Sequence, residues 1–145
     1  MFKHILVPTD GSKMASHAAT HAISLADEMN AEVTLLAVTE PFHMLLIDSN
    51  EYLDQQQRHE KAAASECGAM LARQKVKASD KGVPCKTLVI NSMDVAKTIV
   101  DTADSLNCDL IAMASHGRSG LSSLLLGSVA AGVIAKSHIP VLVYR

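Results

Sequence analysis

What most constrains this chain is an alternation. Short runs of β-branched and apolar residues trade places, five times, with stretches whose apolar residues recur every three or four positions. Runs that are apolar throughout suit strands buried on both faces of a parallel sheet. The intervening helices then supply right-handed crossovers that cover the sheet above and below. The expected fold is therefore α/β: three layers, with a five-stranded parallel sheet between helices. Ligands of such sheets sit outside the carboxyl ends of the strands, where the strand order reverses.

Phe2 to Val7 reads as the first strand, with Pro8 stopping its ladder. Thr9-Asp10-Gly11-Ser12 turns the chain into a helix whose apolar stripe, from Met14 through Ala15, Ala18, Ala19, Ala22 and Ile23 to Ala26 and Met29, is mostly alanine. So thin a stripe lets a helix lie close on a sheet. Glu32 to Thr39 is the second strand, and Glu40 to Asn50, which has no clean period, reads as a loop. Residues 51 to 79 suit one long helix with a polar outer face, ended by Asp80-Lys-Gly82. Cys85 to Asn91 is the third strand, followed by a helix capped by Ser92 or Asp94. Cys108 to Ala114 is the fourth strand, a helix opens at Gly127-Ser128, and Pro140 to Tyr144 is the fifth strand.

Between the fourth strand and the last helix lies a loop of small polar residues, Ser115 to Ser123. The first amides of a helix lack intrahelical partners, and glycines let an anion approach the backbone, so this loop is a candidate phosphate site. Two glycines alone are equally well read as ordinary turn residues. Their spacing is more specific. Ala114-x2-Gly117-x9-Gly127-Ser128 resembles the nucleotide loop of the universal stress protein family, Gly-x2-Gly-x9-Gly-Ser/Thr. Val7-Pro-Thr-Asp-Gly-Ser12 is similar to that family's opening strand and turn, and Ser137-His-Ile-Pro-Val-Leu-Val143 to its closing strand.

The resemblance implies a Rossmann-like sheet of the adenine nucleotide alpha hydrolase type, with strand order 3-2-1-4-5 and the reversal between strands one and four. Pro8, Thr9 and Asp10 would follow the first of these, and Met113 to Gly117 the second. It further implies ATP, or AMP or ADP, as ligand, with Mg2+ or Mn2+ on the phosphates. Backbone amides of Gly117, Gly127, Ser128 and Val129 and the Ser128 hydroxyl would hold the phosphates, though Ser128 alone is also an ordinary N-cap. Met113 and Ala114 would line the ribose side. The Val38 backbone would read the adenine edge, although a plain core valine explains it equally well. Asp10 is either an N-cap or Asx-turn for the first helix or a contact to base or ribose; a carboxylate would repel a triphosphate. His116 and Arg118 face either phosphate or solvent, and a loop histidine with no visible partner favours solvent.

Two positions depart from the family pattern. Ala114 replaces a glycine, which costs about 1 kcal/mol if the site needs positive φ, or fills ligand space if it needs close approach. Met93-Asp-Val-Ala96 replaces Gly-x-Pro-Ala, so Met93 either narrows the crevice or packs under the neighbouring strand.

Composition bounds the rest. A chain of 145 residues, 48% hydrophobic and 19% charged, suits one domain spanning 1–145 with a core that needs neither disulfide nor metal. A net charge of -2 gives no reason to expect nucleic acid. No apolar run approaches bilayer length and Met1 leads straight into a strand, so a cytoplasmic address is expected. Cys67, Cys85 and Cys108 are odd in number and unpaired in spacing, hence buried reduced thiols. His17 and His21 sit one helical turn apart with no third ligand, so surface or packing roles suit them better than metal. No hydrolase elbow or Walker loop is present, which leaves binding, with at most slow ATP hydrolysis or autophosphorylation.

The leading expectation is a cytosolic stress-response module regulated by ATP. The alternative within the family is a dimeric interaction protein without nucleotide. A receiver-like domain would need clustered acids after the first strand and an Asp after the third, where Asp10 and Asn91 stand. A flavodoxin-like domain would want aromatic stacking, and the chain has only two Phe, two Tyr and no Trp. The resemblance also implies a homodimer through the last strand, Val141 to Tyr144, an apolar edge that invites pairing with its copy.

Overall fold

The computed structural model describes residues 1–41, 49–117 and 125–145; of Ser49 it describes only the backbone. Five strands alternate with four helices: β1 His4–Pro8, α1 Lys13–Met29, β2 Glu32–Thr39, α2 Ser49–Asp80, β3 Cys85–Asn91, α3 Val95–Ser105, β4 Leu110–Ala114, α4 Ser128–Lys136 and β5 Val141–Tyr144. The sheet is parallel throughout, in the order β3-β2-β1-β4-β5. Both the fold class and the strand order match expectation. Glu32–Thr39 and Cys85–Asn91 keep their expected bounds, whereas β1, β4 and β5 each begin one or two residues later.

Alternation along the strands sorts the core into two layers. Ile5, Val7, Val33, Leu35, Leu110 and Ala112 pack with the alanine stripe of α1 and with Leu71 and Ala78 of α2. On the other face Leu6, Leu36, Ile111 and Met113 meet Ile99, Val100 and Ala103 of α3 and Ala130 and Val133 of α4. The central strand β1 is buried along its whole length. Below it, Asp109 accepts hydrogen bonds from the backbone N–H groups of Lys3 and His4, at 2.8 and 3.1 Å, which anchors the start of β1 to the start of β4.

Helix ends follow their local chemistry. The Ser12 side chain caps α1, accepting from the Ala15 amide, and Asn30 closes it at φ 51°. Asp94, rather than Ser92, caps α3 by accepting from the Lys97 amide. Gly82 at φ 72° completes the turn after α2. That helix runs 32 residues, about 48 Å at 1.5 Å per residue, longer than any strand it crosses. Met70, about two-thirds of the way along it, accepts the Thr9 hydroxyl on its thioether at 3.9 Å, just past the end of β1.

Two expectations need correcting here. Pro8 does not stop the β1 ladder: it pairs with Leu36, and the next amide, Thr9, donates to the Leu36 carbonyl at 2.8 Å. Donors toward β2 come from Thr9 and alternate residues before it, so the missing proline N–H falls on the β4 side, where pairing extends only over Ile5 and Leu6. None of the three cysteines forms a disulfide, but only Cys108 is buried; Cys67 and Cys85 are half-buried because they stand where α2 and the edge strand β3 meet the rim of the core. The expected loop at Glu40–Asn50 falls largely outside the described residues. Among the described residues no helix is long and apolar enough to cross a membrane.

Two outcomes follow from this packing. A Cβ on Gly132 would stand 2.8 Å from that of Ala96, where α4 crosses α3, so Gly132→Ala lowers stability by about 1–2 kcal/mol in urea unfolding despite its better helix propensity. Combined with Ala96→Gly, the two losses are less than additive. Burial, then the Asp109 and Glu32 carboxylates, push the Cys108 thiol up to about 12. The neutral thiol is the form the fold favours, so its contribution is complete below pH 9 and is lost as pH rises toward 12. Alkaline unfolding midpoints fall with pH in that window, and fall less in Cys108→Ala.

Candidate functional site

Above the carboxyl ends of β1 and β4, three segments come together: Pro8 to Asp10, Ser115 to Gly117, and the start of α4 at Gly127 to Val129. Ser115 joins them. Its amide donates to the Tyr144 carbonyl at 2.8 Å, and its carbonyl accepts from the Gly127 amide at 2.8 Å. One residue thus extends the β4–β5 ladder and fixes where α4 begins. A Cβ on Gly127 would stand 2.9 Å from the Ser115 carbonyl and 3.3 Å from the His116 Cα, so only glycine permits this approach. A Cβ on Gly117 would collide with Oδ2 of Asp10, which brings the loops after β1 and β4 into contact.

The Gly127 amide is therefore not open to a ligand, contrary to expectation, since its hydrogen is spent on Ser115. Gly127 is also the N-cap, and Ser128 the first residue of α4. The amides of Ser128, Val129 and Ala130 lie in the first turn, where no preceding helical carbonyl reaches them, and among the described residues no backbone carbonyl accepts from them.

His116 is the second correction. It is 8% exposed rather than solvated, because the closure of α4 onto Ser115 buries it. Its Nδ1 lies 3.0 Å from the Ser115 hydroxyl, while Nε2 is fully buried and has no partner among the described residues. The adjacent Cδ2 stands 3.8 Å from where a Gly127 side chain would begin, so this edge of the ring faces the start of α4.

Asp10 makes an Asx-turn, Oδ1 accepting from the Ser12 amide at 3.0 Å, while its other oxygen lies against Gly117. It does not cap the helix, which Ser12 does. Thr9 is buried beneath it. Val38 and Met113 pack their side chains into the α3/α4 core, so each has chiefly its backbone to offer a ligand.

Of the two departures from the family pattern, Ala114 carries no backbone strain. It does not have positive φ, and its methyl packs with Ala15, Ala18 and Tyr144. Met93 is 71% exposed, so it does not pack under a neighbouring strand; the chain leaves β3 directly into the Asp94 cap, and Met93 is left outside. Arg118 lies outside the described residues, as does most of the loop expected at 115–123.

Sequence reasoning did not find Met14 and Tyr144 at this end of the sheet. The Met14 sulfur lies 3.6 Å from the Ser115 hydroxyl, within reach of its hydrogen. The Tyr144 ring stacks on His21 with centroids 5.4 Å apart, and burial raises its phenol pKa. His21 thereby has the packing role expected of it. Among the described residues no group of three His, Cys, Asp or Glu side chains is placed to hold a metal.

The universal stress protein family model matches residues 1–145. Universal stress protein MJ0531 of Methanocaldococcus jannaschii is 36% identical over 147 residues, covering 100% of this chain and 83% of that one. Among solved structures, that of MJ0577 from the same organism superposes with a TM-score of 0.84 at 31% identity, covering 99% of this chain and 95% of that one. A universal stress protein described as a complex with cAMP superposes with a TM-score of 0.73 at 25% identity, covering 99% and 97%. Sequence and fold agree over the full length, and the chain belongs to the universal stress protein family.

Proposed function

We propose that the crevice between β1 and β4 binds ATP, or AMP or ADP, and that the protein acts as a nucleotide-dependent regulatory module in stress responses. The observation that carries this reading is a set of groups without partners where the loops after β1 and β4 meet. Among the described residues the first-turn amides of α4 meet no backbone carbonyl and the buried Nε2 of His116 has no partner, and the glycines at 117 and 127 let Asp10 and Ser115 close around them. The cAMP complex of a relative with this fold supports an adenine nucleotide as the class of ligand.

In this reading Ser128 and Val129 hold phosphate by their amides, with the Ser128 hydroxyl and the Arg118 guanidinium as further phosphate ligands. Gly117 lets the tail pass, and Gly127 serves by fixing the start of α4. Pro8, Thr9 and Asp10 form the adenosine side, where a carboxylate does not meet phosphate charge. The backbones of Val38, Met113 and Ala114 border the base and ribose. Mg2+ or Mn2+ would be carried on the phosphates.

We further propose a homodimer through β5. Val141–Tyr144 is an edge strand, Leu142 is 37% exposed, and Ile134 of the adjoining α4 is 45% exposed.

Titration calorimetry with ATP and Mg2+ tests the first proposal, with a melting temperature that rises with the logarithm of ATP concentration. Gly117→Ala displaces the Asp10 carboxylate and weakens ATP about tenfold while the fold is retained. No heat and no melting shift at millimolar ATP would leave the paired scaffold without a ligand. For the dimer, Leu142→Glu yields monomer in sedimentation; a wild-type monomer at micromolar concentration would refute it.

A further inference from the structure

We propose that the Met14 thioether is an oxidation site whose state decides which ring nitrogen of His116 carries the proton. The Ser115 hydroxyl has one hydrogen and two acceptors within reach: Met14 Sδ at 3.6 Å and His116 Nδ1 at 3.0 Å. A thioether is a weak acceptor and an imidazole nitrogen a strong one, so in the reduced protein the hydroxyl donates to Nδ1. The neutral ring then carries its hydrogen on Nε2, as a buried N–H facing the start of α4.

Oxidation reverses this order. The sulfur lone pair attacks one oxygen of a peroxide, the S–O bond forms as the O–O bond breaks, and the departing oxygen leaves as water once protonated. The sulfoxide oxygen is a far better acceptor than sulfur, and it takes the Ser115 hydrogen. Ser115 Oγ then accepts from His116, which requires Nδ1–H and leaves a lone pair on Nε2. A donor facing the anion site becomes an acceptor. Because this last step rests on the nucleotide reading, oxidation weakens phosphate binding.

The geometry gives oxidant a route. Met14 is 37% exposed and lines a surface hollow of about 320 Å³ with Lys13, His17, His21, Tyr144 and Arg145. Met113, in the same end of the sheet, is 5% exposed and is shielded. Met1 and Met93 are more exposed than Met14, so the test needs a variant that lacks only the Met14 sulfur.

Protein with isotope-labelled histidine, studied by nitrogen–proton correlation at a pH where the imidazole is neutral, reports the tautomer directly. The expected result is Nε2–H before hydrogen peroxide and Nδ1–H after it, with peptide mapping showing one oxygen added to Met14 and methionine sulfoxide reductases restoring the first state. Met14→Leu keeps Nε2–H throughout. An unchanged tautomer with Met14 fully oxidised, or an exchange that persists in Met14→Leu, would overturn the proposal. In calorimetry, oxidation weakens ATP about tenfold in the wild type and not in Met14→Leu. Tautomer exchange without ATP binding in either state would retain the relay and remove the nucleotide reading.

Discussion

The site exists because β1 and β4 part company. Their pairing covers Ile5 with Leu110 and Leu6 with Ile111, and beyond it the chain goes to opposite faces of the sheet, into α1 from one strand and toward α4 from the other. Pro8 sits where that parting begins. It gives no N–H to the side from which β4 has withdrawn, so the gap opens without leaving a buried donor there unsatisfied. A residue that looked like the end of a strand in fact shapes the floor of the crevice.

The opposite wall is held by one residue. Ser115 uses its N–H on β5 and its carbonyl on Gly127, so the last strand and the last helix are positioned by the same stretch of backbone. Gly127 is required there by proximity, since any side chain would press on the Ser115 carbonyl. Among the described residues the amides of the following turn meet no backbone carbonyl, so a close-packed junction leads directly into a helix start with donors to spare.

Elements whose fate is decided locally were legible in the sequence. The largely apolar run of β2, the alanine stripe of α1 and the Gly82 stop of α2 act through burial on both faces, close helix approach and positive φ, all written in neighbouring residues. What was not legible depends on contacts across the fold. The burial of His116 is set by α4 closing on Ser115, the use of the Gly127 amide by that same closure, and the packing of Ala114 by the face of β4 on which its methyl falls. The spacing of the loop named candidate residues; it could not say which of their hydrogens were already taken.

The length of α2 has a mechanical consequence. Thr9 touches Met70, and the 20 residues from Asn50 to that contact span roughly 30 Å, of which the last turn, with Cys67, still packs against the core. The lower part of the helix is moored by Leu71, Gln74 and Ala78, while above it the inward positions are only half-covered. Such a cantilever is stabilised toward its tip mainly by its own ladder and by pairs such as Arg58 with Asp54. Its amides open with a free energy that declines along its length, and the fold carries, beside its crevice, a column that frays from the top downward.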